Sequence, residues 1–229
     1  MKNPSVASAP RSLSALAQVA RELYTTGPWI MRKLMHYRIY ICPFEFLTPH
    51  VPDGSHVLDV GCGTGLFLAY LAQDAQRIDA LGFDASGPAI AAALDMAQRV
   101  NERNTGTTLH FEKIDVGAAW PEGTFDVVSV VDVLHHIPPV HQRQFLEQAI
   151  RSVAPGGLLL YKDLADHPLL HATLNRIHDL LLARQWIHYV PISTVERWAS
   201  DAGLHTHFRE DIARLWYRHE LRVLKKPIE

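Results

Sequence analysis

Between Val57 and Gly65 the chain runs Val-Leu-Asp-Val-Gly-Cys-Gly-Thr-Gly, and Leu66 to Gln73 follows with a helical apolar pattern. This order reads as an apolar strand, a tight turn and a helix. Gly61, Gly63 and Gly65 leave the turn without Cβ atoms, so its backbone can take left-handed angles and lie directly against a ligand. The loop differs from the dinucleotide form G-x-G-x-x-G, because the third glycine comes one residue early. Asp59 stands two residues before the first glycine. A carboxylate there repels a pyrophosphate and attracts a cationic ligand.

The rest of the chain is organised around this unit. Ser12 to Tyr24 carries apolar residues at 13, 16, 19, 20 and 23, the spacing of an amphipathic helix. Thr26-Gly27-Pro28 ends it, and Trp29 to Ile41 forms a second helix in which aromatic and aliphatic residues mix with Arg32, Lys33, His36 and Arg38. Residues 1–54 are therefore expected to form an N-terminal helical cap and linker, and 55–229 the main domain. From Ser55 onward strand and helix patterns alternate, which argues for a parallel sheet covered on both faces. Arg77 to Phe83 is the second strand. Asp84 ends it, Ser86 caps the following helix and Pro88 opens it. Thr107 to Ile114 is the third strand, and Phe125 to Val131, apolar almost throughout, is the fourth and belongs at the sheet centre. Val140 to Ala154 is helical, Pro155-Gly156-Gly157 is a turn, and Leu158 to Lys162 is the fifth strand. A helix from about Thr194, capped by Ser193, and strands at His205–Arg209 and Leu215–Leu224 complete the chain.

Composition narrows the function classes. With 22 basic and 24 acidic residues the formal charge is −2, which argues against a general nucleic-acid binder. Cys42 and Cys62 are the only cysteines, so neither a disulfide framework nor a zinc knuckle is expected, and a reducing cytoplasm fits. No signal peptide or bilayer-spanning stretch is visible. The 14 histidines are scattered without metal-ligand spacing, and no metal is expected.

The acid-x-Gly-x-Gly-x-Gly turn of Asp59 to Gly65 resembles the first motif of class I S-adenosylmethionine-dependent methyltransferases. The acid after the second strand, the Leu-His-His-Ile-Pro segment after the fourth and Pro-Gly-Gly before the fifth extend the resemblance over roughly residues 55 to 163. It implies one Rossmann-like doubly wound α/β sheet of seven strands with the last antiparallel. It also implies S-adenosylmethionine as the ligand and S-adenosylhomocysteine as its product. By the same resemblance Asp59 helps to hold the ammonium end of the ligand, Gly61, Cys62, Gly63 and Gly65 pass under its amino-acid and ribose portions, Asp84 and Ala85 meet its ribose, Asp115 and Val116 meet its adenine, and Val131 also belongs to the cofactor site. Asp84 is equally suited to support the helix start, and Asp115 is equally readable as an exposed loop carboxylate.

The segment Asp132-Val133-Leu134-His135-His136-Ile137-Pro138 lacks the signatures of base-amine, cytosine and arginine methylation and looks like enzymes acting on small metabolites. O-methylation is the first expectation. Such a transfer needs alignment, exclusion of water and, for a phenolic oxygen, a base. His136 leads by resemblance, followed by His135 and then His167; all three are equally suited to lining a pocket. The apolar, histidine-rich stretch 164–192 follows the C-terminal end of a core strand, where ligands bind in open α/β sheets, and is expected to cap an acceptor pocket. Two other readings remain open: a non-catalytic partner that binds the same ligand, and a peripheral-membrane enzyme on a lipid-like acceptor, suggested by residues 29–41.

Overall fold

The computed structural model describes residues 13–26, 29–73, 77–103, 106–115, 117–165, 188–215 and 217–228. Two helices, α1 (Leu13–Leu23) and α2 (Trp29–Ile41), precede two short 3-10 turns. The sheet strands are β1 (His56–Val60), β2 (Asp79–Asp84), β3 (Thr108–Lys113), β4 (Phe125–Val131), β5 (Val153–Leu164), β6 (His205–Arg214) and β7 (Tyr217–Lys225). Helices α3 (Leu66–Gln73), α4 (Gly87–Glu102), α5 (Pro139–Arg151) and α6 (Ile192–Asp201) lie among them in sequence.

The strand order is β3-β2-β1-β4-β5-β7-β6. β1 pairs in parallel with both β2 and β4, and β5 pairs in parallel with β4. β7 runs antiparallel between β5 and β6. The chain order therefore reverses direction across β1 and β4, and the loops after these strands open at the same end of the sheet. That is the topological position where open α/β sheets bind ligands.

Both faces are covered, as the apolar strands require. On one face Val57, Val127, Leu160, Leu221 and Val223 share a core with α3, α4 and Ala17, Val19, Ala20 and Leu23 of α1. On the other, Leu58, Val128, Val130 and Leu159 pack with Leu146, Ala149 and Ile150 of α5 and Val195 and Ala199 of α6. The first helix thus contributes to the same core as the sheet.

Several boundaries differ from the sequence reading for physical reasons. Helix α5 stops at Arg151, and Val153 already pairs with Phe125; the register then shifts so that Leu158 faces Val127. Pro155-Gly156-Gly157 is accordingly an irregular stretch within β5, with Gly156 at a φ of 77°. Helix α6 begins at Ile192 after Pro191, with no side-chain cap, so Ser193 lies inside the first turn. Leu215 is no strand residue: its φ of 54° makes the β6–β7 turn, and β7 starts at Tyr217. Ser86 does cap α4, its hydroxyl accepting from the Ala89 amide at 3.4 Å.

Gly82 in the middle of β2 is required by packing. A Cβ there would stand 2.6 Å from the Phe111 ring and 3.0 Å from the Cys62 Cβ. Gly82→Ala is therefore expected to destabilise the protein by about 1–3 kcal/mol, read as a lower urea midpoint at unchanged slope. An unchanged midpoint would mean that Phe111 does not lie across β2.

Candidate active site

The glycine turn folds as its composition demands. Gly61, Gly63 and Gly65 have φ values of 67°, 56° and 75°, a region costly for side chains with a Cβ. Gly61 and Gly65 are also closed in by packing, since a Cβ would meet Val133 at 2.7 Å and the Phe111 ring at 2.6 Å. At Gly63 the situation differs: the nearest atom to a Cβ would be the Arg38 guanidinium, 3.8 Å away. The backbone at Gly63 is bare, with a cation beside it.

The turn is fastened from two sides. The tip of β2 holds it through the Cys62 amide, which donates to the Phe83 carbonyl at 3.0 Å, and the Gly63 amide, which donates to Asp84 Oδ2 at 2.9 Å. The second oxygen of Asp84 accepts from the Ser86 amide at 2.8 Å. Asp84 therefore joins the turn to the start of α4. From the other side, the Tyr24 hydroxyl donates to the Thr64 carbonyl at 2.9 Å, and the Thr64 hydroxyl lies 2.7 Å from Met35 Sδ. Cys62 is partly buried, and burial foremost, with the charges of Asp59 and Asp84, raises its thiol pKa.

Asp59 lies beneath the turn, 2% exposed. Its Oδ1 accepts from the Ser129 hydroxyl of β4 at 2.6 Å. Burial pushes its carboxyl up to about 7, against the Ser129 bond, which lowers it; the nearby Asp84 raises it further. It is a buried acid short of a cationic partner.

Val131, at the tip of β4, is buried, while Ala85 is exposed just beyond β2. Asp115 is exposed beyond β3 and pairs with Lys113 at 2.9 Å. Its strand end is held beside β2, where the Ile114 amide donates to the Asp84 carbonyl at 3.1 Å. Val116 and His167 lie outside the described residues, as does most of the 164–192 segment.

Beyond β4 the side chains form two separate pairs. Asp132 adopts a φ of 57°, uncommon outside glycine, and its Oδ1 meets Lys162 Nζ at 2.6 Å. Its Oδ2 is 3.5 Å from Arg38 Nη2 and 3.6 Å from Cys42 Sγ. Burial acts to raise the Asp132 pKa, but Lys162 and Arg38 overcome it and hold the carboxylate ionised. Lys162 is 1% exposed and stays charged because Asp132 outweighs its burial. His219, buried nearby, is driven down to about 2, first by burial and then by the Lys162 charge.

In the second pair, Asp163 binds His135. Its Oδ1 meets His135 Nδ1, and its Oδ2 lies 3.3 Å from the His135 amide and 3.4 Å from the Tyr161 hydroxyl. His135 is buried, whereas His136 is exposed, with the two rings 4.1 Å apart. Burial against its neighbours and the proximity of His135 lower the His136 pKa, leaving a neutral imidazole at neutral pH. The His188 amide donates to the His135 carbonyl at 2.8 Å, so the C-terminal end of the 164–192 segment lies against this turn. The two acids at adjoining strand ends, Asp132 and Asp163, are thus engaged by Lys162 and His135.

Three residues of the site are not read as site residues from the sequence. Ser129 carries a signal, a hydroxyl inside an otherwise apolar central strand. Lys162 carries one too, a single charge ending the run Leu158 to Tyr161. Arg38 carries none, because only the folding of α2 over the turn brings it to Gly63.

The description "Methyltransferase domain" belongs to a family model that matches residues 32–207. The chain belongs to the class I S-adenosylmethionine-dependent methyltransferases. A probable methyltransferase, ltbC, of Aspergillus luteorubrus is 30% identical over 122 residues, 52% of this chain and 43% of that protein. A ubiquinone biosynthesis O-methyltransferase of Psychrobacter arcticus is 28% identical over 170 residues, 72% of this chain and 63% of its own length. The chain thus aligns with less than two thirds of the length of either relative. Its fold matches the crystal structure of a magnesium protoporphyrin IX methyltransferase of Synechocystis with bound S-adenosylmethionine. That match has a TM-score of 0.65 at 18% identity, covering 91% of this chain and 90% of the other.

A raised acid beneath the turn has a measurable consequence. The Asp59 pKa lies above its unfolded value, so its contribution to stability is complete below pH of about 4 and is lost as pH rises through about 7. Asp59→Asn is expected to gain stability relative to the ligand-free wild type between about pH 5 and pH 8, by on the order of 4 kcal/mol at the upper end. Urea unfolding at both pH values measures this, and a difference independent of pH would contradict a raised Asp59.

Proposed function

We propose that this chain transfers a methyl group from S-adenosylmethionine to a small apolar or aromatic metabolite, with oxygen as the receiving atom. The observation that carries the ligand assignment is the bare turn at Gly63, set between a buried acid short of a cation and the Arg38 guanidinium. An amino-acid ammonium suits Asp59, and its carboxylate suits Arg38. Asp84, already bonded to Gly63 and Ser86, retains acceptor capacity for ribose hydroxyls, and Asp115 and Val131 flank the adenine side. Bound there, the ligand supplies a sulfonium methyl that is already electrophilic.

The chain's own part is to orient the acceptor, exclude water and take a proton. His136 suits the last role: it is neutral at neutral pH, exposed, and stands beside a histidine whose ring is fixed by Asp163. The His135–Asp163 pair orients the turn that presents His136. Lys162 and Arg38 keep Asp132 ionised, which makes it a hydrogen-bond acceptor for the substrate and a poor base. Oxygen as the receiving atom is favoured by the neutral imidazole, which accepts a phenolic proton as the oxygen–methyl bond forms. The name of the Psychrobacter relative, an O-methyltransferase of ubiquinone biosynthesis, supports the same class.

The test is methyl transfer from labelled S-adenosylmethionine to a panel of phenols, hydroquinones and matched amines. Phenolic acceptors are expected to be methylated. His136→Gln is expected to lower kcat by 10²- to 10⁴-fold, roughly the range of general-base catalysis, with S-adenosylhomocysteine affinity unchanged. Equal loss of affinity and turnover would make His136 a packing residue, and methylation of the amines alone would overturn the assignment to oxygen.

A further inference from the structure

Helix α2 has two faces with different work. Its inner face carries Met35, bonded to Thr64, and Arg38, beside Gly63 and Asp132. Its outer face carries Trp29, Lys33, Tyr37 and Tyr40. At 3.6 residues per turn these four fall within an arc of about 80°. Trp29 is 61% and Tyr40 49% exposed, and they are among the few large apolar residues the described protein shows to solvent. Lys33 is exposed and holds its ammonium 4.9 Å from the centre of the Trp29 ring. The helix sequence WIMRKLMHYRIYI contains three Arg or Lys residues and no acid, although the whole chain has a formal charge of −2. Of these, Arg38 belongs to the inner face, and Lys33 is the exposed cation of the outer one.

We propose that the outer face of α2 docks on an anionic lipid surface. Tryptophan and tyrosine prefer the boundary between headgroups and acyl chains, because one side of each ring is apolar and the other polar. Basic residues on the same helix add attraction to anionic headgroups. The aromatic stripe and the Lys33 charge supply the two terms on which binding of an interfacial helix depends, buried apolar area and attraction to anionic lipid. No helix among the described residues is long and apolar enough to cross a membrane, and an interfacial helix needs none. Docking in this way places the wall of the cofactor turn against the bilayer, with Arg38 and Met35 on its far side. The acceptor class that fits is an amphiphile with its ring at the headgroup level. This last point rests on the methyl-transfer reading; the docking itself does not.

The experiment is co-sedimentation of the full chain, without cofactor or acceptor, with phosphatidylcholine vesicles and with vesicles containing phosphatidylglycerol as well. Binding is expected only to the anionic vesicles and is expected to fall at high salt. Lys33→Gln should weaken it roughly fivefold, the effect of removing one interfacial charge. Trp29→Ala combined with Tyr40→Ala should weaken it further while leaving S-adenosylhomocysteine affinity at the wild-type value, which also reports that the fold is intact. Absence of vesicle binding, equal binding to neutral and anionic vesicles, or undiminished binding of Lys33→Gln would overturn the proposal and leave the stripe to a protein partner. Methyl transfer to a water-soluble phenol would survive any of these results, so failure of the docking and failure of the activity are distinguishable.

Discussion

The carboxylate of Asp84 fixes the shape on which the rest of the site depends. One oxygen holds the Gly63 amide at 2.9 Å, and the other holds the Ser86 amide at 2.8 Å. A turn with three left-handed glycines has high conformational freedom, and these bonds, with that from Cys62 to Phe83, tie it to the end of a neighbouring strand. Phe111 completes the arrangement by filling the space that Gly65 and Gly82 leave open. The sheet thus presents a bare stretch of backbone at a fixed place, above a buried acid.

Charge is distributed beyond that turn in a way that separates two tasks. Asp59 is buried with a hydroxyl for a partner and, among the described residues, no cation in bonding range, so it is poised to receive one. Asp132 already has Lys162 and Arg38, and Asp163 already has His135. Leaving either Asp132 or Lys162 buried alone would be costly; paired, they form a stable floor beside His136. The reactive region therefore combines a compensated ionic floor with a neutral imidazole at its edge, which becomes a cation on taking the proton as the sulfonium becomes a neutral thioether, so the net charge of the site is unchanged.

How much of this was legible in the sequence follows from the range of the interactions. The glycine turn, β1, β4 and the capped start of α4 are encoded within a few residues, and each appears close to where the sequence pattern places it. The insertion of β7 between β5 and β6 depends on pairs such as Leu160 with Val223, which no local pattern reveals; the family resemblance supplied seven strands and an antiparallel last one, and not the strand order. The Pro155-Gly156-Gly157 stretch reads locally as a turn, yet sheet pairing on both sides of it keeps it inside β5. Arg38 illustrates the same limit at the site. On its helix it reads as part of a solvated basic face, and only the packing of α2 over the turn gives it a ligand-facing position.

The central claim is that the Asp59–Gly65 turn holds S-adenosylmethionine. Calorimetric titration of the ligand-free protein with S-adenosylmethionine, and separately with S-adenosylhomocysteine, tests it most directly. The account predicts one site per chain for each, with Arg38→Gln weakening both through loss of its charge beside Gly63. Absence of binding to either ligand by folded protein free of carried-over cofactor would contradict it.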